Sequence, residues 1–160
     1  MKSSVVMQPP SPVLVAETCE RTVAFSRESI AGFARLTGDA NPLHLDQEAA
    51  ARAHHGRIIA SGQQTTSHLI GLAATHFARR CERFTRELLC LNFNFALKAP
   101  VFADDPVALS WVVREVSWHA HLGGWMAQAD GRAVSHGRLC VVARGTLLIK
   151  ANEPAAAFDR

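Results

Sequence analysis

The chain has 160 residues, of which 48% are hydrophobic and 19% are charged. This length is enough for a single domain that buries a hydrophobic core without disulfides or metals. The net charge is only +3, from 17 basic and 14 acidic residues, and no basic run is longer than two residues. This pattern argues against nucleic-acid binding, although a weakly positive surface suits an anionic small molecule.

Cysteine spacing and hydropathy both favour a cytoplasmic protein. The four cysteines lie far apart and form no CxxC pair: Cys19, Cys81, Cys90 and Cys140. Such spacing predicts reduced thiols rather than a disulfide framework or a zinc site. The first residues carry a proline-broken apolar run instead of a signal-peptide core, and no apolar run reaches the roughly 18 residues of a membrane span. We therefore expect a cytoplasmic location.

Composition divides the chain into one domain and two tails. Residues 1–12 are rich in serine and proline, which is typical of a flexible N-terminal tail. Patterned apolar residues continue through residues 13–150, so one domain is predicted there, followed by a C-terminal tail over residues 151–160.

Helices are predicted in the first half of the domain. Ser26 can cap a first helix, which Gly38 ends because glycine readily adopts the left-handed conformation of a helix stop. Asp46 can cap a second, short helix that Gly56 ends. The longest helix is predicted over residues 61–80, and its many apolar residues indicate that other elements surround it.

After the long helix the apolar period changes from helical to alternating, which predicts strands. In LLCLNFNFALK the alternation places five residues on one face: Leu89, Leu91, Phe93, Phe95 and Leu97. Further strands are predicted near residues 107–116, 124–134 and 138–149. Asp130-Gly131 and His136-Gly137 both suit the turn between the last two strands. An initial extended segment, one long apolar helix and four antiparallel strands predict an α+β hot-dog fold, in which the sheet curves around the helix.

The stretch TGDANPLHLD, residues 37–46, holds the strongest candidate site. Pro42 excludes helical geometry at Asn41, so the chain must turn there. The turn can bring Asp39 and His44 into one cleft, where a carboxylate and an imidazole that share one water form a general acid/base pair. Asn41 would then orient a partner or line the pocket. The alternative is ordinary turn chemistry, in which the Asp and Asn side chains bond to their own backbone.

A second candidate site precedes the long helix, in IIASGQQTT. Free backbone N–H groups at a helix start attract negative charge, and a glycine there lets a substrate carbonyl approach closely. The Gly62 N–H group is therefore a candidate oxyanion donor. Ser61 is a candidate contact beside it, and the alternative for Ser61 is simple helix capping. Both roles can hold together because they use different groups.

Both candidate sites lie in segments that resemble a known family. FARLTGDANPLHLDQEAA resembles the hydratase motif of the (R)-specific enoyl-CoA hydratases and MaoC-like dehydratases, and RIIASG and FNFALKAPVFADDPV resemble later segments of that family. The resemblance covers roughly residues 20–150. Its first block matches residue by residue through Phe33, Gly38, Asp39, Asn41, Pro42, His44, Asp46 and Ala50. The chain departs from the pattern at Ser61, where many members have histidine, and at Asp104, where glycine is usual.

The resemblance implies a hot-dog homodimer whose sheets join edge to edge, with active sites near the subunit interface. It implies a hydro-lyase of fatty acid metabolism that reversibly adds water to trans-2-enoyl-CoA thioesters, giving (R)-3-hydroxyacyl-CoA, without a metal or redox cofactor. Asp39 and His44 would hold the water, Asn41 would support the pocket, and the Gly62 N–H group would polarise the thioester carbonyl.

The acyl group and its carrier stay open at this point. Either CoA or acyl carrier protein can deliver the thioester, while Gln63 and Gln64 suggest a short or polar acyl group. Candidate phosphate contacts are the basic residues Arg57, Arg79, Arg80 and Lys98. Two rival functions are a hot-dog acyl-thioesterase and a non-catalytic acyl-CoA-binding protein of the same fold.

Overall fold

A computed structural model describes residues 9–79 and 85–152. Its element order begins with a strand, continues with helices and ends with four strands, as predicted. The elements are β1 (Thr18–Ala24), α1 (Arg27–Thr37), α2 (Pro42–Leu45), α3 (Gln47–Arg52), α4 (Gly62–Phe77), β2 (Thr85–Leu97), β3 (Pro106–His119), β4 (Gly124–Ser135) and β5 (Arg138–Asn152). No helix among these residues is long and apolar enough to cross a bilayer.

The predicted tails lie largely outside the described residues, as does Cys81. Near the N-terminal boundary Pro12 is already buried, and the Ser11 hydroxyl donates to the Val13 carbonyl at 2.6 Å. At the other end β5 continues to Asn152, two residues beyond the predicted end of the domain at residue 150.

The strands form one antiparallel sheet in the order β1-β3-β4-β5-β2. Helix α4 packs against all five strands, so the sheet encloses the helix and the α+β hot-dog prediction is confirmed. Trp111 of β3 is 1% exposed, and its indole N–H donates to the Leu69 carbonyl of α4 at 2.8 Å. A buried indole N–H needs such a partner, so this hydrogen bond also fixes the helix against the sheet.

The turn between β4 and β5 uses His136 and Gly137. Both have positive φ, 48° and 75°, as a tight hairpin turn requires. The other candidate, Asp130-Gly131, lies inside β4. A Cβ atom at Gly131 would come within 2.8 Å of the Trp111 ring, so glycine is needed there for packing and not for a turn.

Strand β2 differs from its predicted alternation. A bulge at Leu91 interrupts the pairing with β5. On the N-terminal side of the bulge, the side chains that face the core are therefore the opposite set from those expected. Phe93 and Phe95 pack against the core, and so does Leu88, whereas Leu89 and Leu91 are 49% and 47% exposed. The prediction of a single face from 89 to 97 was therefore wrong, because strict alternation does not allow for an inserted residue.

The predicted caps at Ser26, Gly38, Asp46 and Ser61 are confirmed. The predicted helix end at Gly56 is wrong, because α3 already ends at Arg52 with Ala53 as its C-cap. The Ser26 hydroxyl caps α1, and Gly38 ends it at φ 72°. Asp46 caps α3 through hydrogen bonds from two backbone N–H groups. The long helix α4 is capped by Ser61 and ends at Phe77. The structure adds one helical turn that was not predicted, α2, and it carries the candidate histidine.

Glu17 joins the segment before β1 to α4 and β2. Its carboxylate accepts hydrogen bonds from His76 Nε2 at 2.9 Å and Arg86 Nη1 at 2.7 Å, and the three side chains are only 16–17% exposed. Burial alone would raise the pKa of Glu17. The hydrogen bonds from Arg86, Leu14 N–H and His76, with the charge of Arg86, outweigh burial and bring the pKa below 4.5.

Glu17→Gln is expected to lower the free energy of unfolding at pH 7 by about 1–3 kcal/mol, because a neutral amide is a weaker partner for Arg86 and His76. A lowered folded-state pKa means that this stabilisation is present above the unfolded-state pKa and is lost as the pH falls through the folded-state value. Urea denaturation should therefore show a smaller difference between wild type and variant at about pH 3 than at pH 7. Glu48→Gln, at an exposed ion pair with Arg52, is the control and should change little.

An equal loss of stability at both pH values would contradict this account of Glu17. It would mean that the carboxylate contributes through its shape and packing rather than through its charge.

Candidate active site

Helix α2 is a single turn between α1 and α3. Asn41 caps it by accepting a hydrogen bond from Leu43 N at 3.1 Å, and Pro42 occupies its first position, where no N–H group is needed. The turn buries His44, which is 6% exposed, while Leu43 is only half-buried. The imidazole is therefore the side chain that holds this turn in the interior.

Asp39 and His44 lie together at this turn. Asp39 Oδ1 accepts a hydrogen bond from Asn41 N at 3.1 Å, while Oδ2 lies 3.5 Å from His44 Nε2. Turn bonding and convergence on the imidazole are thus both present, since they use different oxygens. A separation of this size allows one water molecule to contact both atoms.

A backbone carbonyl selects the tautomer of His44. Nδ1 lies 2.7 Å from the Ile59 carbonyl oxygen, and because a carbonyl can only accept, Nδ1 carries the proton. In the neutral imidazole Nε2 is then free to accept a proton, on the side that faces Asp39. The Ile59 N–H group donates back to the Leu43 carbonyl at 3.2 Å. Two hydrogen bonds therefore join α2 to the segment that leads into α4.

The start of α4 presents a free backbone donor. The buried Ser61 hydroxyl accepts a hydrogen bond from Gln64 N at 3.2 Å, so Ser61 is the helix cap. Among the described residues none accepts from the Gly62 N–H group, one of the groups that a helix start leaves without an internal partner. Gly62 lines the same cavity as His44, whereas Ser61, Asn41 and Asp39 do not, and Asp39 reaches the site through its approach to His44.

The cavity beside His44 has a volume of about 360 Å³, which suits a small ligand. Its polar groups come from His44, Gly62, Thr65 and Lys98, with His55 beside them. Its apolar wall comes from the residues before α4, from the end of β2 with the loop that follows, and from β5. The sequence predicted His44 and Gly62 here, but it held no signal for the wall, because these segments meet only in the folded chain.

Of the candidate phosphate contacts that the structure describes, only Lys98 lines this cavity. Arg57 forms two hydrogen bonds with Asp105, at 2.8 and 3.3 Å, and this pairing lowers the pKa of Asp105. Arg79 lines a separate cavity between β1 and α4, and Arg80 lies outside the described residues.

The two glutamines expected near the acyl group do not line the cavity. Gln63 is exposed, and Gln64 is 2% exposed with its amide nitrogen 3.0 Å from the Ser29 hydroxyl, to which it donates. The polar side chain that this part of α4 gives to the cavity is Thr65.

Comparison with protein families assigns the chain to a known family. The model of the MaoC like domain matches residues 10–121, well over half of the chain. The chain belongs to the MaoC-like domain family.

Individual relatives of this MaoC-like chain share parts of its sequence or its fold. It is 34% identical over 91 residues to 3-hydroxybutyryl-CoA dehydratase of Methylorubrum extorquens, which is 57% of this chain and 54% of that protein. The chain therefore spans about half the length of this curated relative. The (R)-hydratase from A. caviae involved in PHA biosynthesis is 24% identical and superposes with a TM-score of 0.76, covering 86% of this chain and 98% of that one.

A third structural match comes from a complex. A chain of the HadBC (3R-hydroxyacyl-ACP dehydratase) complex from Mycobacterium tuberculosis is 17% identical, with a TM-score of 0.69, covering 88% of this chain and 100% of that one. At these identities the structural matches establish a shared fold.

The backbone at Asp104 fits the glycine that the resemblance led us to expect at this position. Asp104 has φ 65°, in the left-handed region that favours glycine. Its N–H group donates to the Phe25 carbonyl at 2.8 Å, which holds the turn in this conformation. Aspartate can occupy this position because it tolerates the left-handed region better than most residues.

Proposed function

We propose that this MaoC-like protein adds water to trans-2-enoyl-CoA thioesters to give (R)-3-hydroxyacyl-CoA, or catalyses the reverse dehydration. The observation that carries the proposal is the 3.5 Å approach of Asp39 Oδ2 to His44 Nε2, beside a cavity that Gly62 also lines. A carboxylate, a free imidazole nitrogen and an unpaired backbone N–H group are what hydration of an activated double bond requires. The similarity to a 3-hydroxybutyryl-CoA dehydratase supports the same chemistry.

In the proposed mechanism the residues of the site act on the thioester carbonyl and on the attacking water. Gly62 N–H donates to the thioester carbonyl, which makes C3 electrophilic. Water held between Asp39 and His44 loses a proton to this pair as its oxygen bonds to C3, and the resulting enolate gains a proton at C2. One proton leaves the water and one reaches C2, so no acid or base is consumed. Negative charge grows on the oxygen nearest Gly62, so this hydrogen bond strengthens most in the transition state.

Asn41 and Ser61 act in this proposal through the helices that they cap. Asn41 caps α2, which carries His44, and Ser61 caps α4, whose first residue is Gly62. Each cap fixes the helix start that positions the adjacent reacting group.

We assign the chain to homodimers joined through β2. This strand lies at an edge of the described sheet and exposes Leu89, Leu91 and Leu97 at 49%, 47% and 61%. An apolar edge strand favours pairing with another chain, and a second copy would cover these residues. Sedimentation equilibrium should give twice the 17.4 kDa chain mass, and Leu89→Lys combined with Leu91→Lys should give the single-chain mass.

A panel of trans-2-enoyl-CoA substrates of increasing chain length tests the activity. The expected result is loss of the conjugated thioester absorbance together with formation of (R)-3-hydroxyacyl-CoA. Release of CoA thiol without hydration would instead indicate a thioesterase, and binding without turnover would indicate a non-catalytic acyl-binding protein. Repeating the panel with acyl carrier protein thioesters identifies the carrier.

A further inference from the structure

We propose that the Thr65 hydroxyl binds a hydroxyl group at C4 of the acyl chain, so that the site prefers short, 4-hydroxylated acyl groups. The inference rests on the function proposed above and names the substrate class of the same site.

Thr65 lies on the wall of the cavity, one turn into α4. It follows Gly62 by three residues, so the two lie on the same face of the helix. The next residue along this face is Leu69, which is fully buried, and Thr65 itself is 1% exposed. Among the described residues that line this cavity, only His44 and Thr65 have buried polar side chains. Because this face of α4 continues into the core, an apolar residue would be expected at position 65. A hydroxyl buried there needs a hydrogen-bond partner.

The Thr65 hydroxyl has no partner within the described parts of the chain. Threonines in helices commonly bond to a carbonyl one turn back, as Thr66 does to Gln63 at 3.1 Å and Thr37 to Phe33 at 3.0 Å. Thr65 makes no such bond. The Thr65 oxygen is not sealed from solvent, so it retains access to the cavity.

The helix geometry relates Thr65 to one position of the acyl chain. Three residues at about 1.5 Å rise place Thr65 about 4.5 Å further along the helix than Gly62. With the thioester carbonyl at Gly62, this distance corresponds to a few carbon–carbon bonds, which brings C4 near Thr65. The cavity volume of about 360 Å³ favours an acyl group of this short length.

Paired substrates and matched variants test the role of Thr65. Wild type should have a higher kcat/KM for trans-4-hydroxy-2-butenoyl-CoA than for trans-2-butenoyl-CoA. Thr65→Val, which keeps the shape and removes the hydroxyl, should reduce that ratio about tenfold. Thr65→Ser should keep the wild-type ratio. Thr66→Val is the matched control, because Thr66 lies outside the cavity, and it should also keep the ratio.

Calorimetric binding of butanoyl-CoA and 4-hydroxybutanoyl-CoA, neither of which has a double bond, separates this inference from the activity itself. If wild type hydrates butenoyl-CoA but Thr65→Val leaves both the kinetic and the binding preference unchanged, the inference is overturned and the activity stands. If no substrate is hydrated but wild type binds the hydroxylated analogue more tightly and Thr65→Val abolishes that difference, the activity is overturned and the Thr65 contact stands. If neither preference nor turnover is found, both are overturned.

Discussion

Asp39→Asn and His44→Gln are each expected to reduce the hydration of trans-2-butenoyl-CoA by about 10²-fold or more. The amide that replaces the Asp39 carboxylate keeps its shape but cannot accept a proton from the water held near Nε2. The glutamine amide that replaces the His44 imidazole can still donate to the Ile59 carbonyl, but it provides no basic nitrogen. Because both changes remove proton transfer, kcat should fall in each case.

The half-buried Asp130 and the exposed His54, both outside the cavity, provide matched controls for these variants. Asp130→Asn removes a carboxylate that lies outside the cavity, where its Oδ2 atom is 2.9 Å from Arg114 Nε. His54→Gln removes an exposed imidazole. Both should retain near-normal kcat. Circular dichroism and thermal unfolding of all four variants check that the fold is kept. Near-normal turnover in Asp39→Asn and His44→Gln together would end the acid/base assignment.

Gly62→Ala is the second change with a large expected effect, a fall in kcat of about 10²-fold. The added Cβ atom would overlap the side chain of Leu97, which lines the same cavity. In the proposed mechanism this crowding hinders the approach of the thioester oxygen to the Gly62 N–H group. Since the Gly62 hydrogen bond strengthens in the transition state, kcat should fall more than KM rises.

Gly71→Ala is the matched control on the same helix. Nothing lies within 4 Å of a Cβ atom at Gly71, so alanine should leave activity unchanged and stabilise α4 by roughly 0.5–1 kcal/mol. The double variant Gly62→Ala with Leu97→Ala makes room for the methyl group. If the double variant recovers full activity, crowding of Leu97 caused the loss and the oxyanion role of Gly62 is contradicted.

The parts of the fold that the sequence predicted well depend on local chemistry. Ser26, Gly38, Asp46 and Ser61 end or begin helices because a short side chain or a glycine satisfies groups within the same few residues. The bulge at Leu91 has no such local cause in the sequence. It depends on the partner strand, so alternation alone placed Leu89 on the wrong face.

In the candidate site, too, the features set by local sequence were predicted and those set by the folded chain were not. The turn at Pro42 and the nearness of Asp39 to His44 follow from a motif of a few residues. The carbonyl of Ile59 that holds Nδ1 could not be predicted, since every residue has a carbonyl and only the fold selects one. Thr65 was within reach of prediction, because it follows Gly62 by three residues on a helix, but the polar contacts to the acyl group were predicted at the two glutamines before it.

The pair of hydrogen bonds between α2 and Ile59 has a consequence for how this protein tolerates sequence change. They tie the imidazole to a strand-like segment that reaches Gly62 only three residues later. The spacing between the proposed base and the proposed oxyanion donor is thus set by a short local brace, which the hydrogen bond from Ala60 N–H to the Val101 carbonyl at 2.8 Å joins to the loop after β2. Substitutions in remote strands can then accumulate and lower the melting temperature while the turnover of the surviving folded molecules stays the same.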